Sequence, residues 1–460
     1  METGIKKAIQ NSIFQRVSIY PLVTLRVLFG AVMLFSTVRF WLLGWIENHY
    51  INPQFHFHYF GFEWVEPLAP WAMYAIHAVM IIAALGIMLG AFYRFSAFVF
   101  FVIFTYTELI DLTYYLNHYY FMSLLALLMI FLPAHRQLSF DVKWQRVKAS
   151  RFVEKWNILA PKLLVGIVYF YAGIAKINEA WLIDAMPLKI WLPAHSHTPI
   201  IGELLGLEIT AYLFSWIGML YDVSVPFLLL SKKLRPYVYW VIVAFHSMTS
   251  YFFEIGVFPL AMTGVVLIFW SGKWHEKLWH KLSTIFHFSW SPSIVFHCQS
   301  RRSRNLLLSS LTVFFAFQLL FPFRYLLYPG NLFWNEEGYR FSWRVMLVEK
   351  AGTATFYVKD GENGREGEVV NSEFLNPHQE KQMAFQPDMI LQFAHYLEEH
   401  YREEGFEDPI VRCESWVTMN GERSRLIVDP QKDLTEIKDS FKHKNWIVPH
   451  DAEDTAFAHR

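Results

Sequence analysis

The sequence predicts an all-α polytopic membrane helical bundle of about nine spans with a small soluble α+β domain at its C-terminus, and three observations predict it. Hydrophobic residues make up 54% of the 460 residues and charged ones only 17%, against about 25% charged in soluble chains. Apolar runs long enough, or nearly so, to cross ~30 Å of hydrocarbon recur through the first 323 residues. After Phe323 the composition turns to Glu, Asp, Lys, Asn and Gly and no further spanning run occurs, so the predicted domains are 1–323 and 324–460.

The runs lie near 20–43, 68–91, 95–111, 117–133, 158–176, 208–230, 236–253, 256–270 and 303–323. The third, fourth and eighth are short, which leaves eight spans or a re-entrant segment as the alternative count. The first run exceeds the apolar core of a cleavable signal and reads as a signal anchor. Loop charge gives an independent check, because positive residues concentrate on the cytoplasmic side. With the N-terminus inside, the inner segments hold nineteen Lys and Arg, from Lys6 and Lys7 through Arg94 and Arg136 to Arg304. The outer loops between spans hold Lys189 alone. One miscounted span would destroy that asymmetry, so count and orientation support each other, and the C-terminal domain is expected on the extracytoplasmic face: periplasmic, or lumenal in a eukaryote. Cys298 and Cys413 then fall on opposite faces, which excludes an intrachain disulfide. Zero net charge gives no reason to expect nucleic acid; the implied partner is the lipid bilayer.

Beyond Phe323, alternation over Thr353–Val358 before the turn Lys359–Gly364 predicts a strand and hairpin. Ile410–Met419 with Asn420-Gly421 leading to Arg425–Val428 predicts a second. Between them Met389, Ile390, Phe393, Tyr396 and Leu397 recur at helical spacing, which predicts a helix over Asp388–Glu404.

Ionisable residues inside a span are costly and therefore candidate sites. Lys176 lies 18 residues after Ile158, roughly 27 Å up its helix at ~1.5 Å per residue and near the outer end. Ala172, Gly173 and Ala175 around it would let neighbouring helices approach closely. The alternative is a lysine snorkelling to the interface, although positive charge is otherwise nearly absent from that face. Asn117 and His118 open the fourth run at the same level, where an interfacial belt is the plainer reading. His246 lies about ten residues into the seventh run, and a core histidine is the plainer reading there. Together they suggest a polar pocket in the outer leaflet with aromatic walls suited to a flat apolar ring. The outer turn Glu254–Pro259 follows His246. Arg39 and Arg26 in the first run could clamp a carboxylate, with Arg26 also marking the boundary. The pairs His56/His58 and His195/His197 lack partners at metal-binding spacing, and no nucleotide or serine-nucleophile motif occurs.

Four separated stretches, in order, resemble the vitamin K-dependent γ-glutamyl carboxylase family, including its bacterial HTTM-domain homologues. They are Leu116-Asn-His118; Tyr169-Phe-Tyr-Ala-Gly-Ile-Ala-Lys176 with Trp181; Phe245-His246 with Phe253-Glu-Ile-Gly-Val-Phe258; and Tyr328-Pro-Gly-Asn-Leu-Phe-Trp334 with Tyr339 and Phe341-Ser-Trp343. The resemblance spans roughly residues 20–350. It implies that Lys176 deprotonates a vitamin K hydroquinone (phylloquinol or menaquinol), that oxygen then adds, and that the resulting base removes the γ-proton of a peptidyl glutamate. The carbanion takes up CO2 and the quinone leaves as its epoxide. It further implies that His118 and Asn117 assist carboxylation and orient the ring. His246, Tyr171, Phe258 and Trp334 would contact the quinone, and Tyr339 and Trp343 the glutamyl peptide. Arg39 of the first run, by its charge rather than by the resemblance, could clamp that peptide's carboxylate.

This chain departs from the family at three places. The animal lysine pair is Ala175-Lys176 here, Val348 occupies a histidine position, and the outer domain is only about 130 residues, a reduction that looks bacterial. Two other readings stand beside the carboxylase: a membrane quinol epoxidase or oxygenase without glutamate carboxylation, and a non-enzymatic transporter or binding protein.

Overall fold

The structure, a computed structural model, describes residues 12–253, 255–285 and 301–451. Lys6, Lys7, Glu254 and Cys298 lie outside the described residues.

Every predicted apolar run coincides with a helix: α1 (Tyr20–Leu42), α2 (Pro70–Leu89), α3 (Tyr93–Ile110), α4 (Asn117–Phe131), α5 (Trp156–Ala175), α6 (Glu208–Leu228), α7 (Arg235–Phe252), α8 (Phe258–Val265) and, after the amphipathic α9 (Gly272–Ile285), α10 (Arg301–Leu320). Of these, α1, α2, α3, α5, α6 and α10 are long and apolar enough to cross a membrane, and the chain is therefore an integral membrane protein. The helices α4 and α8 are apolar but shorter. Length and apolarity thus qualify six helices rather than the predicted nine. Pro at the first turn of α1, α2, α7 and α8 suits a position whose N–H has no intrahelical partner.

Sequential neighbours pack side by side from α1 to α4, α5 lies along α6, and α8 returns against α1. Two glycines let helix backbones approach closely. A Cβ on Gly30 would stand 2.5 Å from the Met88 backbone nitrogen, and one on Gly173 would stand 2.5 Å from that of Val223; in lipid, such small residues let helices gain dispersion contacts backbone to backbone. At the basic end, the Phe92 and Tyr93 N–H groups donate to the Asp141 carboxylate at 2.8 and 3.0 Å, so a negative charge meets the positive end of α3. His275 Nδ1 and Trp279 Nε1 fasten α9 to Thr24 of α1 at 2.8 and 2.9 Å. Also at this end β1 (Arg16–Ser18) pairs antiparallel with β2 (Phe152–Glu154). Sequence reasoning missed both α9 and this ribbon: α9 is too polar to register as a span, and three-residue strands carry no usable period.

The C-terminal region builds a four-stranded antiparallel sheet of β3 (Lys350–Lys359), β4 (Glu366–Glu368), β5 (Ile410–Met419) and β6 (Arg425–Leu426), in the order β4-β3-β5-β6. Two helices, α11 (Pro377–Met383) and α12 (Pro387–Glu403), separate β4 from β5. Inward residues Phe356 and Val358 of β3 meet Val411, Cys413 and Val417 of β5 beneath Met389, Phe393 and Leu397 of α12. Cys413 is a buried free thiol. Phe57, Tyr59 and Leu112 from the α1–α2 and α3–α4 connections enter the same core. Gln379 donates to Asp111 Oδ2 at 2.8 Å and to the Phe55 carbonyl at 2.7 Å, and Gln392 exchanges two 2.9 Å bonds with the His58 backbone.

The link between bundle and sheet is tied by Arg340, whose guanidinium pairs with Asp388 at the start of α12. Burial alone would raise the Asp388 carboxyl, but the Arg340 charge and hydrogen bond outweigh it and hold the group below its ordinary value. Stability from this pair is therefore present above the unfolded value near about 3.9 and disappears as pH falls through the lower folded value. Asp388→Asn should cost about 3 kcal/mol at neutral pH, and the gap in thermal midpoint between variant and parent should close as pH drops below ~4. A gap that persists unchanged would assign the loss to something other than the ion pair.

Candidate functional site

A cavity of about 410 Å³ lies between α4, α5, α6, α7, the start of α8 and the loop 339–346. Its position follows from helix periodicity. On α5, Tyr169, Ala172 and Lys176 stand at i, i+3 and i+7 on one face, and all three line the cavity. Lys176 caps the end of the helix and is 7% exposed. Its Nζ donates to Asp222 Oδ2 of α6 at 2.9 Å and to the Ala172 carbonyl at 3.2 Å, and lies 5.2 Å from the centroid of the Trp181 ring. The close α5–α6 approach at Gly173 is what brings amine and carboxylate within reach: the added Cβ would also fall 3.0 Å from the Asp222 carbonyl carbon.

The two histidines reach the cavity from other helices. His246 of α7 shares a 2.9 Å hydrogen bond between Nε2 and the Tyr169 hydroxyl, and its buried Nδ1 has no partner among the described residues. His118, in the first turn of α4, packs against the Tyr119 ring at 4.5 Å and the Phe258 ring at 5.2 Å. Phe258 also meets His246 edge-on at 5.6 Å, so one aromatic ring separates the two imidazoles.

The remaining wall is the segment after Gly338, where Phe341, Trp343 and Met346 adopt φ of 57°, 60° and 53°. Left-handed backbone costs a non-glycine residue of order 1 kcal/mol or more, so the surroundings must hold it. The Tyr115 hydroxyl accepts from Phe341 N–H at 2.7 Å while donating to Asn117 Oδ1 at 3.0 Å. Asn117 Nδ2 in turn donates to the Arg344 carbonyl at 2.7 Å. Trp343 is fully buried and stacks on Tyr120 at 4.9 Å, and its indole N–H has no partner among the described residues.

A second, larger cavity of about 1280 Å³ adjoins the first and shares Tyr115, Leu116, His118, Phe253 and Ile255 with it. Its walls are more polar and come from both the bundle and the residues 372–378 before and within α11. Arg39 and Glu108 line it, and among the described residues neither forms an ion pair; Arg39 lies 4.8 Å from the Trp45 ring. Tyr114 is sandwiched between His49 at 3.8 Å and His378 at 4.6 Å. Burial, with a smaller contribution from His378, pushes His49 down to about 3, and burial also lowers His378, so both rings are neutral at pH 7. Among the described residues no three His, Cys, Asp or Glu side chains come together to hold a metal ion.

Seven of the ten predicted site residues therefore meet at one cavity: Lys176, Asn117, His118, His246, Phe258, Tyr339 and Trp343. Three do not. Tyr171 follows Tyr169 by two residues, which turns it about 200° around the helix; its hydroxyl donates to the Leu319 carbonyl and its ring packs on Phe323 at 5.4 Å. Trp334 belongs to the C-terminal core, where its indole donates to the Val448 carbonyl at 2.7 Å and packs on His450 at 5.0 Å. Arg39 faces the larger cavity alone. Asp222 was missed although its signal was present, a carboxylate well inside the apolar run 208–230.

An ion pair this buried makes a prediction independent of activity. Losing one partner strands a charge, so Asp222→Asn or Lys176→Met alone should destabilise by about 3–5 kcal/mol, whereas the apolar double variant Lys176→Met/Asp222→Leu should recover most of that. Thermal midpoints in one detergent check it; additive losses in the double variant would refute the pairing.

Residues 14–274 match the family described as HTTM domain, and residues 303–453 match the family described as vitamin K-dependent gamma-carboxylase, lumenal domain. No solved structure matches the chain.

Proposed function

Because the chain belongs to the HTTM-domain, vitamin K-dependent γ-carboxylase family, we propose that it couples epoxidation of a reduced vitamin K, phylloquinol or menaquinol, to carboxylation of peptidyl glutamate. The observation that carries this reading is an amine and two imidazoles converging on one buried, aromatic-walled cavity.

The cavity suits a flat quinol ring. Its walls are chiefly aromatic and aliphatic, and among the described residues the polar positions in them without a protein hydrogen bond include the His118 ring, His246 Nδ1, Trp343 Nε1 and Arg344 Nε. When bound, the hydroquinone with O2 supplies a base strong enough to take the γ-proton of glutamate, so that CO2 can add. The protein's part is to place, dry and deprotonate. Lys176 accepts a proton at Nζ, which requires an unprotonated amine at that moment; Asp222, 2.9 Å away, positions that amine and is the group placed to hold the proton it sheds. Tyr169 fixes the His246 ring. Asn117 acts by holding the left-handed segment that carries Trp343 against the cavity. Apolar walls exclude water that would otherwise quench a strong base.

His118 stands in the wall common to both cavities, which supports a division of labour. The quinol occupies the apolar chamber and the glutamyl side chain comes through the larger polar one, where Arg39 offers a counter-charge for its carboxylate. We read the bundle as nine spans with a cytoplasmic N-terminus and the region after residue 323 as a separate extracytoplasmic domain, a reading supported by the loop-charge asymmetry. A second reading, quinol epoxidation without carboxylation, is favoured by one residue: Val348, where the family carries histidine, is partly buried against the C-terminal core and supplies no proton-transfer group.

Membranes containing the protein should convert reduced vitamin K to its epoxide, and Lys176→Ala should abolish the conversion; a normal epoxide yield removes Lys176 from the mechanism. Incorporation of labelled CO2 into a short glutamyl peptide separates the two readings. His118→Ala and Arg39→Gln should depress carboxylation more than epoxidation, and equal losses in both reactions would reject the two-chamber assignment.

A further inference from the structure

At the opposite, basic end of the bundle a small cavity of about 150 Å³ opens between the start of α3, the end of α4 and the β2–α5 junction. Two guanidinium groups line it, Arg94 from α3 and Arg136 from the loop after α4. Among the described residues neither makes an ion pair or a side-chain hydrogen bond, and the Nε of Arg136 is buried without a partner. The carboxylate in the wall, Glu154, is committed elsewhere: it accepts from Trp156 Nε1 at 3.1 Å and pairs with Arg304 at 3.0 Å. At the same place Asn157 Oδ1 has no partner among the described residues. Burial, and then the neighbouring Arg94 charge, push the Arg136 guanidinium below its ordinary value. Two cations, the half-buried Arg136 and the exposed Arg94, thus share one niche, and among the described residues no carboxylate pairs with either.

The niche is continuous with a face built for hydrocarbon. Phe131, which lines it, is 61% exposed, and from Arg94 the exposed Phe98 and Val102 follow at i+4 and i+8, with Phe95 beside them. A ligand seated here meets two forked donors suited to phosphate oxygens and, one helical turn further, an apolar stripe along the bundle. Inorganic phosphate would use only the first of these. We propose that this niche binds the phosphate headgroup of an anionic phospholipid, with an acyl chain lying along the exposed face of α3. The site is separate from the Lys176 cavity, shares no lining residue with it, and does not depend on the reaction assigned there.

The test uses the full-length protein purified in a neutral detergent, with phosphatidylglycerol, phosphatidylcholine and inorganic phosphate added separately and read by thermal midpoint and native mass spectrometry. Phosphatidylglycerol should raise the midpoint by several degrees and remain bound in the mass spectrum, while the other two should do neither. Arg94→Gln, at an exposed position that leaves the packing intact, and Arg136→Gln should each weaken phosphatidylglycerol binding by about fivefold. An equal shift with phosphatidylcholine would overturn headgroup recognition, and an equal shift with inorganic phosphate would overturn the lipid as its source. Undiminished binding of phosphatidylglycerol to the Arg94→Gln/Arg136→Gln double variant would place the lipid elsewhere.

Discussion

The contact between Lys176 and Asp222 organises the site. Two opposite charges in a low-dielectric interior are tolerated only in good geometry with their remaining hydrogen bonds satisfied, and here the geometry comes from the backbone: Gly173 lets α5 and α6 close until the carboxylate meets the amine. On the same face of α5, Tyr169 holds His246 of α7. One helix face thus presents both the base and the hydroxyl that anchors an imidazole, and Gly173 brings the base to its counter-charge. A change that spreads α5 from α6 would part the amine from the carboxylate.

The large features were legible in the sequence because each left a periodic or compositional trace. Nine apolar runs became nine helices, and the strands at 353–358 and 410–419 and the helix over 388–404 fall within β3, β5 and α12 with only small shifts at their ends. Legibility failed where the determinant was direction or tertiary pairing. Tyr171 lies inside the motif of Lys176, yet a two-residue offset points it at α10, and that offset was readable from helix geometry alone. Trp334 lies beside residues that reach the cavity, but its chain segment has already turned into the C-terminal core. Asp222 carried a visible anomaly, whereas its distance from Lys176 depends on a glycine contact that no single helix encodes.

The two cavities differ as the two reactants of the proposed chemistry differ. One is small and chiefly aromatic and aliphatic; the other is wide, more polar and walled partly by the C-terminal region. His118 belongs to both, at the first turn of α4, where the helix begins and side chains can face either side of its end. The neutral His49–Tyr114–His378 stack lines the wide cavity without adding charge to it, which leaves Arg39 and the carboxyl groups of Glu108, Asp111 and Glu373 as its basic and acidic lining.

The loop carrying Phe341, Trp343 and Met346 belongs by chain order to the approach to β3, but Tyr339, Trp343 and Met346 close the chamber inside the bundle. Its unfavourable backbone is held from both directions, by Tyr115 and Asn117 below and by Arg340 against α12 above. The seam along which relatives could exchange one outer module for another therefore lies beyond this loop, between residue 346 and the first rung of the sheet. A graft joined earlier would carry away the chamber's own ceiling, and one joined later would leave the ceiling in place but slack.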